Sequence, residues 1–162
     1  MKRALGLTLA ALALALDQAS KLYVTRGFES GSLEAGPFLP FVDLALQANR
    51  GISFSLFRQN GTMGVALLTA FALAVVAFLA VWMWRARSKL MSAGLGLIVG
   101  GALGNACDRA AYGAVVDFLD LHAFGRHFFV FNVADAAISL GVALLILDGL
   151  RSETQRPALR GG

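Results

Sequence analysis

Four stretches of this chain are too long and too apolar for a water-soluble core to absorb: residues 4–23, 62–84, 90–107 and 134–150. Core segments seldom run beyond ~14 apolar residues, whereas a helix rising 1.5 Å per residue needs ~20 of them to cross ~30 Å of hydrocarbon. The composition agrees, with 57% hydrophobic residues in a chain of 162. The pattern predicts one integral membrane domain over residues 1–162, built on four transmembrane helices.

The spans differ in kind. The second is nearly all Ala, Leu, Val and Phe and ends in Trp82 and Trp84, placed as an interfacial belt would place them. The third contains GLGLIVGGALGNAC. Small residues let membrane helices approach closely, so this one is expected to be the packed inner helix.

Orientation follows from the cations. Lys2 and Arg3 precede the first span, Arg85, Arg87 and Lys89 join the second and third, and Arg151, Arg156 and Arg160 follow the fourth. The positive-inside rule puts these, both termini and the tail 151–162 in the cytoplasm, with residues 24–61 and 108–133 outside. The formal net charge of +4 is then a matter of topology and calls for no nucleic-acid partner. Lys2 and Arg3 before an apolar run also resemble a secretory signal peptide, but no A-x-A-like cleavage site follows and three more spans do. The single cysteine, Cys107, excludes an internal disulfide, and its apolar flanks read as packing.

The first outer segment opens with turn-forming residues and then alternates in VDLALQAN. Val42, Leu44, Leu46 and Ala48 fall on one side, Asp43, Ala45, Gln47 and Asn49 on the other. Period two reads as a half-buried strand, with NRGISFSLF returning as a second one. The other outer segment mixes aromatic, apolar and charged residues and is expected to be a re-entrant or amphipathic connection in the interface. The fold class is therefore an all-α membrane bundle of four helices with a small extracytoplasmic β-sheet and an interfacial loop or helix.

An ionisable group at membrane depth costs ~2.5–3.5 kcal/mol at a helix centre, so each one present needs a partner or a task. Asp17 and Lys21 are one turn apart and pair on a single helix face, for structure or for function. Asn49, Arg50 and Gly51 sit at a turn. Asn105 and Arg109 share a face at the outer end of the third span, with Asp108 between them as a cap or as a partner for the arginine. Asp148 faces solvent beside Arg151. Asp117 could pair with Arg109, and Asp135 could simply N-cap the fourth span.

Taken together, Asp117 and Asp135 have a different meaning. Two carboxylates brought close cannot both ionise cheaply, so they share a proton. The ionised one can deprotonate water while the other polarises a carbonyl, as an aspartic peptidase requires. His122 and His127 lack metal-ligand spacing and no GxSxG is present, so neither a metal, a cofactor nor a serine triad is expected. A proton-coupled transporter with Asp17, Asp117 and Asp135 as a relay, and a non-catalytic scaffold, remain the competing classes.

At these residues the sequence resembles the bacterial lipoprotein signal peptidases, or signal peptidase II. The resemblance is carried, in order, by DQASK at 17–21, NRGISFS at 49–55, GGALGNACDR at 100–109, VVDF at 115–118 and FNVADAAIS at 131–139. It implies a membrane-embedded aspartic endopeptidase that cuts prolipoproteins just before the diacylglyceryl-modified cysteine of the lipobox. It puts the catalytic pair on Asp117 and Asp135 and substrate contacts on Asn105, Arg109, Asn132, Asn49 and Gly51, with Asp17, Lys21 and Ala134 in support. It further implies a β-cradle in the outer strands, an active site at the outer face of the bacterial inner membrane, lipids as surroundings and a monomer. One departure is visible: Ala136 stands where the family's last block commonly has serine, and Ser139 lies one turn on.

Overall fold

The structure, a computed structural model, describes residues 1–50 and 62–154. In chain order it contains α1 (Lys2–Ser30), β1 (Gly36–Leu39), β2 (Val42–Asn49), α2 (Thr62–Trp84), α3 (Lys89–Tyr112), β3 (Val115–Ala123), β4 (Arg126–Phe131) and α4 (Val133–Thr154). Each of the four helices is long and apolar enough to cross a membrane.

α3 is the inner helix, packed against α1, α2 and α4. Its glycines explain why. A Cβ at Gly100 would overlap the backbone carbonyl of Ala10 on α1, and one at Gly104 would overlap the Asp17 carboxylate. Backbones this close leave no room for a side chain, and the gain is dispersion along the whole contact, which lipid tails cannot match in shape. At the opposite end of the bundle Ser88 N-caps α3, accepting from Met91 N–H at 2.8 Å, and its hydroxyl donates to Asp148 of α4. Asp148 thus finds its partner in Ser88, where the sequence suggested Arg151. Cys107, read as a packing residue, is exposed on the helix surface.

Two boundaries move relative to expectation. α1 continues helical to Ser30, with Gly31 closing it in the left-handed region at φ 71°. α3 runs on to Tyr112, so Asp108 and Arg109 are helical, as the face shared by Asn105 and Arg109 required, and the outer segment begins later than residue 108.

The larger correction concerns residues 108–133. They form no re-entrant connection: after α3 the chain makes the hairpin β3–β4, completing an antiparallel four-stranded sheet in the order β1-β2-β3-β4. His122 and His127 are consequently strand residues. His122 Nε2 lies 3.0 Å from Asp43 Oδ1, and His127 Nδ1 lies 2.7 Å from Asp120 Oδ2. The hairpin turns through Phe124 (φ 52°) and Gly125 (φ 73°), positive at both positions as a two-residue turn matching the strand twist needs.

β2 forms over the alternating stretch, but its alternation does not hold. Leu44 pairs with Leu119 and Gln47 with Asp117, so three steps on β2 match two on β3. This bulge inserts one residue and reverses parity, moving Gln47 and Asn49 onto the face of Val42 and Leu44. The second strand expected from NRGISFSLF, and Gly51 within it, lie outside the described residues beyond Arg50.

Candidate active site

The polar residues gather where the sheet meets the helices. Asp117 is the third residue of β3, two after its start at Val115, and is buried at 2% exposure. Asp135 lies in the first turn of α4, half-buried, at the helix end whose unpaired N–H groups favour an anion.

One residue joins the two acids. Asn132 is fully buried and precedes α4 by one position. Its Oδ1 accepts from the Asp135 backbone N–H at 3.0 Å, while Asp135 Oδ2 accepts from the Asn132 N–H at 3.3 Å. This is a capping box in which the N-cap is Asn132 and the acid stands at the third helical position. Asp135 is therefore not the N-cap. The other end of the Asn132 amide donates to Asp117 Oδ1 at 2.6 Å. A single planar group so holds both carboxylates in register.

Each acid has one further amide. Asn49 Nδ2 donates to Asp117 Oδ2 at 2.9 Å, a contact the β2 bulge makes possible. Asn105 Nδ2 donates to Asp135 Oδ1 at 2.9 Å. Burial pushes the Asp117 carboxyl above its ordinary range and the negative charge of Asp135 adds to this, while the Asn49 and Asn132 amides and the Lys21 charge oppose it.

Arg109 does not pair with Asp117. Its Nη1 donates to the Asn105 backbone carbonyl at 3.3 Å, and its Nε is buried without a hydrogen-bond partner among the described residues. A half-buried guanidinium with donors to spare suits a carbonyl-rich ligand.

Below the acids lies a charged cluster. Asp17, fully buried, takes Lys21 Nζ on Oδ2 at 2.8 Å and the Ala134 backbone N–H on Oδ1 at 2.9 Å, so it satisfies an otherwise orphaned donor of α4. Lys21 also pairs with Asp108 at 2.7 Å. Gln18 Nε2 reaches Asp17 Oδ2 at 3.1 Å, Asp108 Oδ1 at 2.9 Å and the Gly104 carbonyl at 3.2 Å. Sequence reasoning singled out Asp17, Lys21 and Ala134 but passed over Gln18 and took Asp108 for a cap or a partner of Arg109. Gln18 stands inside DQASK, and a neutral amide between Asp17 and Lys21 was the signal available. At position 136 the alanine keeps its helical bond, Ala136 N–H to Asn132 O at 3.2 Å. Among the described residues no group of His, Cys, Asp or Glu could hold a metal ion.

Comparison with known proteins identifies the family and the fold. A model of the family described as signal peptidase (SPase) II matches residues 9–151. The lipoprotein signal peptidase of Methylorubrum extorquens (strain PA1) is 53% identical over 153 residues, covering 94% of this chain and 90% of that one. That of Beijerinckia indica subsp. indica is 48% identical over 151 residues, covering 93% and 90%. The fold is matched by a bacterial membrane enzyme solved by the in meso method at 1.9 Å resolution, with a TM-score of 0.73, 24% identity and coverage of 90% of this chain and 92% of that one. With the family model matching most of its length and relatives about half identical to it, the chain belongs to the signal peptidase II family.

Proposed function

We propose that Asp117 and Asp135 are the catalytic dyad with which this lipoprotein signal peptidase hydrolyses prolipoproteins before the diacylglyceryl-modified cysteine. The observation that carries the reading is the Asn132 amide, which contacts Asp117 Oδ1 at 2.6 Å and caps the turn that holds Asp135. In this reading Asp117, the more buried acid, carries the proton the pair shares, and Asp135, at the N-terminus of α4, acts as the base. Asp135 takes a proton from water as the water oxygen bonds to the scissile carbonyl carbon, and Asp117 gives its proton to the carbonyl oxygen. The tetrahedral diol then breaks its C–N bond. The departing nitrogen takes the proton from Asp135, and a hydroxyl of the diol returns one to Asp117, restoring both acids with one water consumed.

Arg109, with unspent donors, binds substrate carbonyls. Asn49, Asn105 and Asn132 contact the substrate from the positions in which they hold the acids, and Gly51 completes that set. The protein is a membrane protein. Its positive-inside pattern supports cytoplasmic termini and a dyad at the outer face, where the scissile bond of a lipid-anchored substrate meets water. It acts as a monomer in lipid, with no nucleic-acid partner.

The test is mass spectrometry of a diacylglyceryl-modified prolipoprotein incubated in detergent with the wild type, Asp117→Asn and Asp135→Asn. Cleavage before the lipidated cysteine is expected from the wild type, with each variant slower by about 10²- to 10⁴-fold. Processing at the wild-type rate by either folded variant would exclude that residue from the chemistry.

A further inference from the structure

Lys21 is buried at 4% exposure, and its ammonium meets three acceptors: Asp17 Oδ2 at 2.8 Å, Asp108 Oδ2 at 2.7 Å and Asn105 Oδ1 at 3.0 Å. An ammonium has three donors and no lone pair, so it is fully used here. The two carboxylates account for its burial. The third contact, to a neutral amide, has the chemical consequence.

A planar amide occupies nearly the same space when turned over, so its neighbours decide which end is oxygen and which is nitrogen. Lys21 cannot accept a hydrogen bond. It therefore fixes the oxygen of Asn105 toward itself, and Asn132 Nδ2, donating to the same oxygen at 3.2 Å, agrees. With that end settled, Asn105 Nδ2 must face Asp135 Oδ1 at 2.9 Å.

The second arm runs through Asp108. Its Oδ2 accepts from Lys21 and from the Val116 backbone N–H at 3.1 Å, one residue before Asp117. Gln18 steadies its other oxygen at 2.9 Å. From α1, then, a single cation reaches the surroundings of both acids, one carried by a helix and the other by a strand.

We propose that Lys21 is a positioning residue for the reaction, aiming Asp135 through the Asn105 amide and fixing the strand that carries Asp117 through Asp108. The assignment rests on the dyad reading above.

The experiment measures kcat and KM for cleavage of the lipidated prolipoprotein by the full chain as wild type, Lys21→Met, Asn105→Asp and the double variant, with Asp117→Asn and Asp135→Asn alongside. Asn105→Asp keeps an oxygen for Lys21 and puts a carboxylate oxygen in place of the N–H aimed at Asp135, so it decides the matter if Lys21→Met fails to fold. Misplacement of a catalytic group lowers turnover more than binding, so each single variant is expected to lose about 10- to 100-fold in kcat, with the KM of Lys21→Met within about twofold. Because both changes break the same line, from Lys21 through the Asn105 amide to Asp135, the double variant should be no slower than the worse single one. Near-wild-type kcat in either folded single variant, or losses that multiply in the double, would overturn the proposal. Full activity of Asp117→Asn or Asp135→Asn would instead sink the dyad reading, a separate result.

Discussion

α2 and α3 are helices of nearly equal length, 23 and 24 residues, and both are apolar enough to span a bilayer. In an 18-residue apolar stretch of α3, 61% of residues are buried; among its described residues α2 buries Val76 and Met83 alone. α2 presents Leu67, Phe71, Phe78 and Trp82 outward, while α3 presents glycines to its neighbours and ends in Asn105, Asp108 and Arg109. The difference teaches that hydropathy locates a chain in the membrane, whereas departures from hydropathy locate its chemistry. Residues that lower the apolar character of α3 are the ones that bring α1 and the first turn of α4 to the acids.

The sharpest way to break the contrast is to add volume where α3 has none. Gly104→Val forces a side chain into the Asp17 carboxylate, and overpacking of a tight contact costs about 1–3 kcal/mol before the loss of ion pairs is counted. Cleavage is expected to disappear together with a cooperative thermal transition, both measurable on protein in detergent. Next in size is Asn49→Ala, which strips one of two side-chain amides from Asp117 and leaves the sheet paired. Once Asp117 has given up its proton this is a hydrogen bond to a charged group, which contributes about 1.5–3 kcal/mol, so turnover should fall about 10- to 100-fold, read from the initial rate of cleavage.

A smaller effect lies in the pH dependence of stability. The folded Asp117 carboxyl titrates above its ordinary value of 3.8, so folding binds a proton more tightly there than the unfolded chain does. That contribution is complete below the ordinary value and is lost as pH rises through the raised one. Asp117→Asn lacks it, so the Tm of wild type relative to this variant should decline between acid and neutral pH. A gap that widens as pH rises would contradict the assignment of a raised value to Asp117. Smallest of all is Phe71→Leu on α2, 70% exposed in the protein and facing lipid. A change within about 0.5 kcal/mol and unaltered cleavage are expected; a large loss in either would erase the distinction between the two helices.

What sequence revealed and what it withheld follow from the range of the interactions. The spans were legible because hydropathy is additive along the chain, and β2 because period two survives over its first residues. The bulge in β2 was not legible, since nothing in VDLALQAN marks where the extra residue enters; pairing with β3, some seventy positions on, decides it. The β3–β4 hairpin was missed for a related reason: Val115–Phe118 and Phe128–Phe131 carry apolar residues at consecutive positions, so neither reads as an alternating strand. Among site residues, Asp117 and Asp135 stood out because carboxylates beside apolar runs are costly. Gln18 and Asp108 join a network whose partners lie 90 residues apart, and no local pattern reports that.

The capping box at Asn132 and Asp135 also bears on how the chain is made. Synthesis delivers α1, α2 and α3, then Asp117 on β3, before the turn that bears Asp135 exists. A partly inserted chain thus holds one acid without its counterpart and without the amide that aligns them. The last helix then docks on the Asp17 carboxylate through the Ala134 N–H, so under the proposed dyad the site is completed by the final element to leave the ribosome.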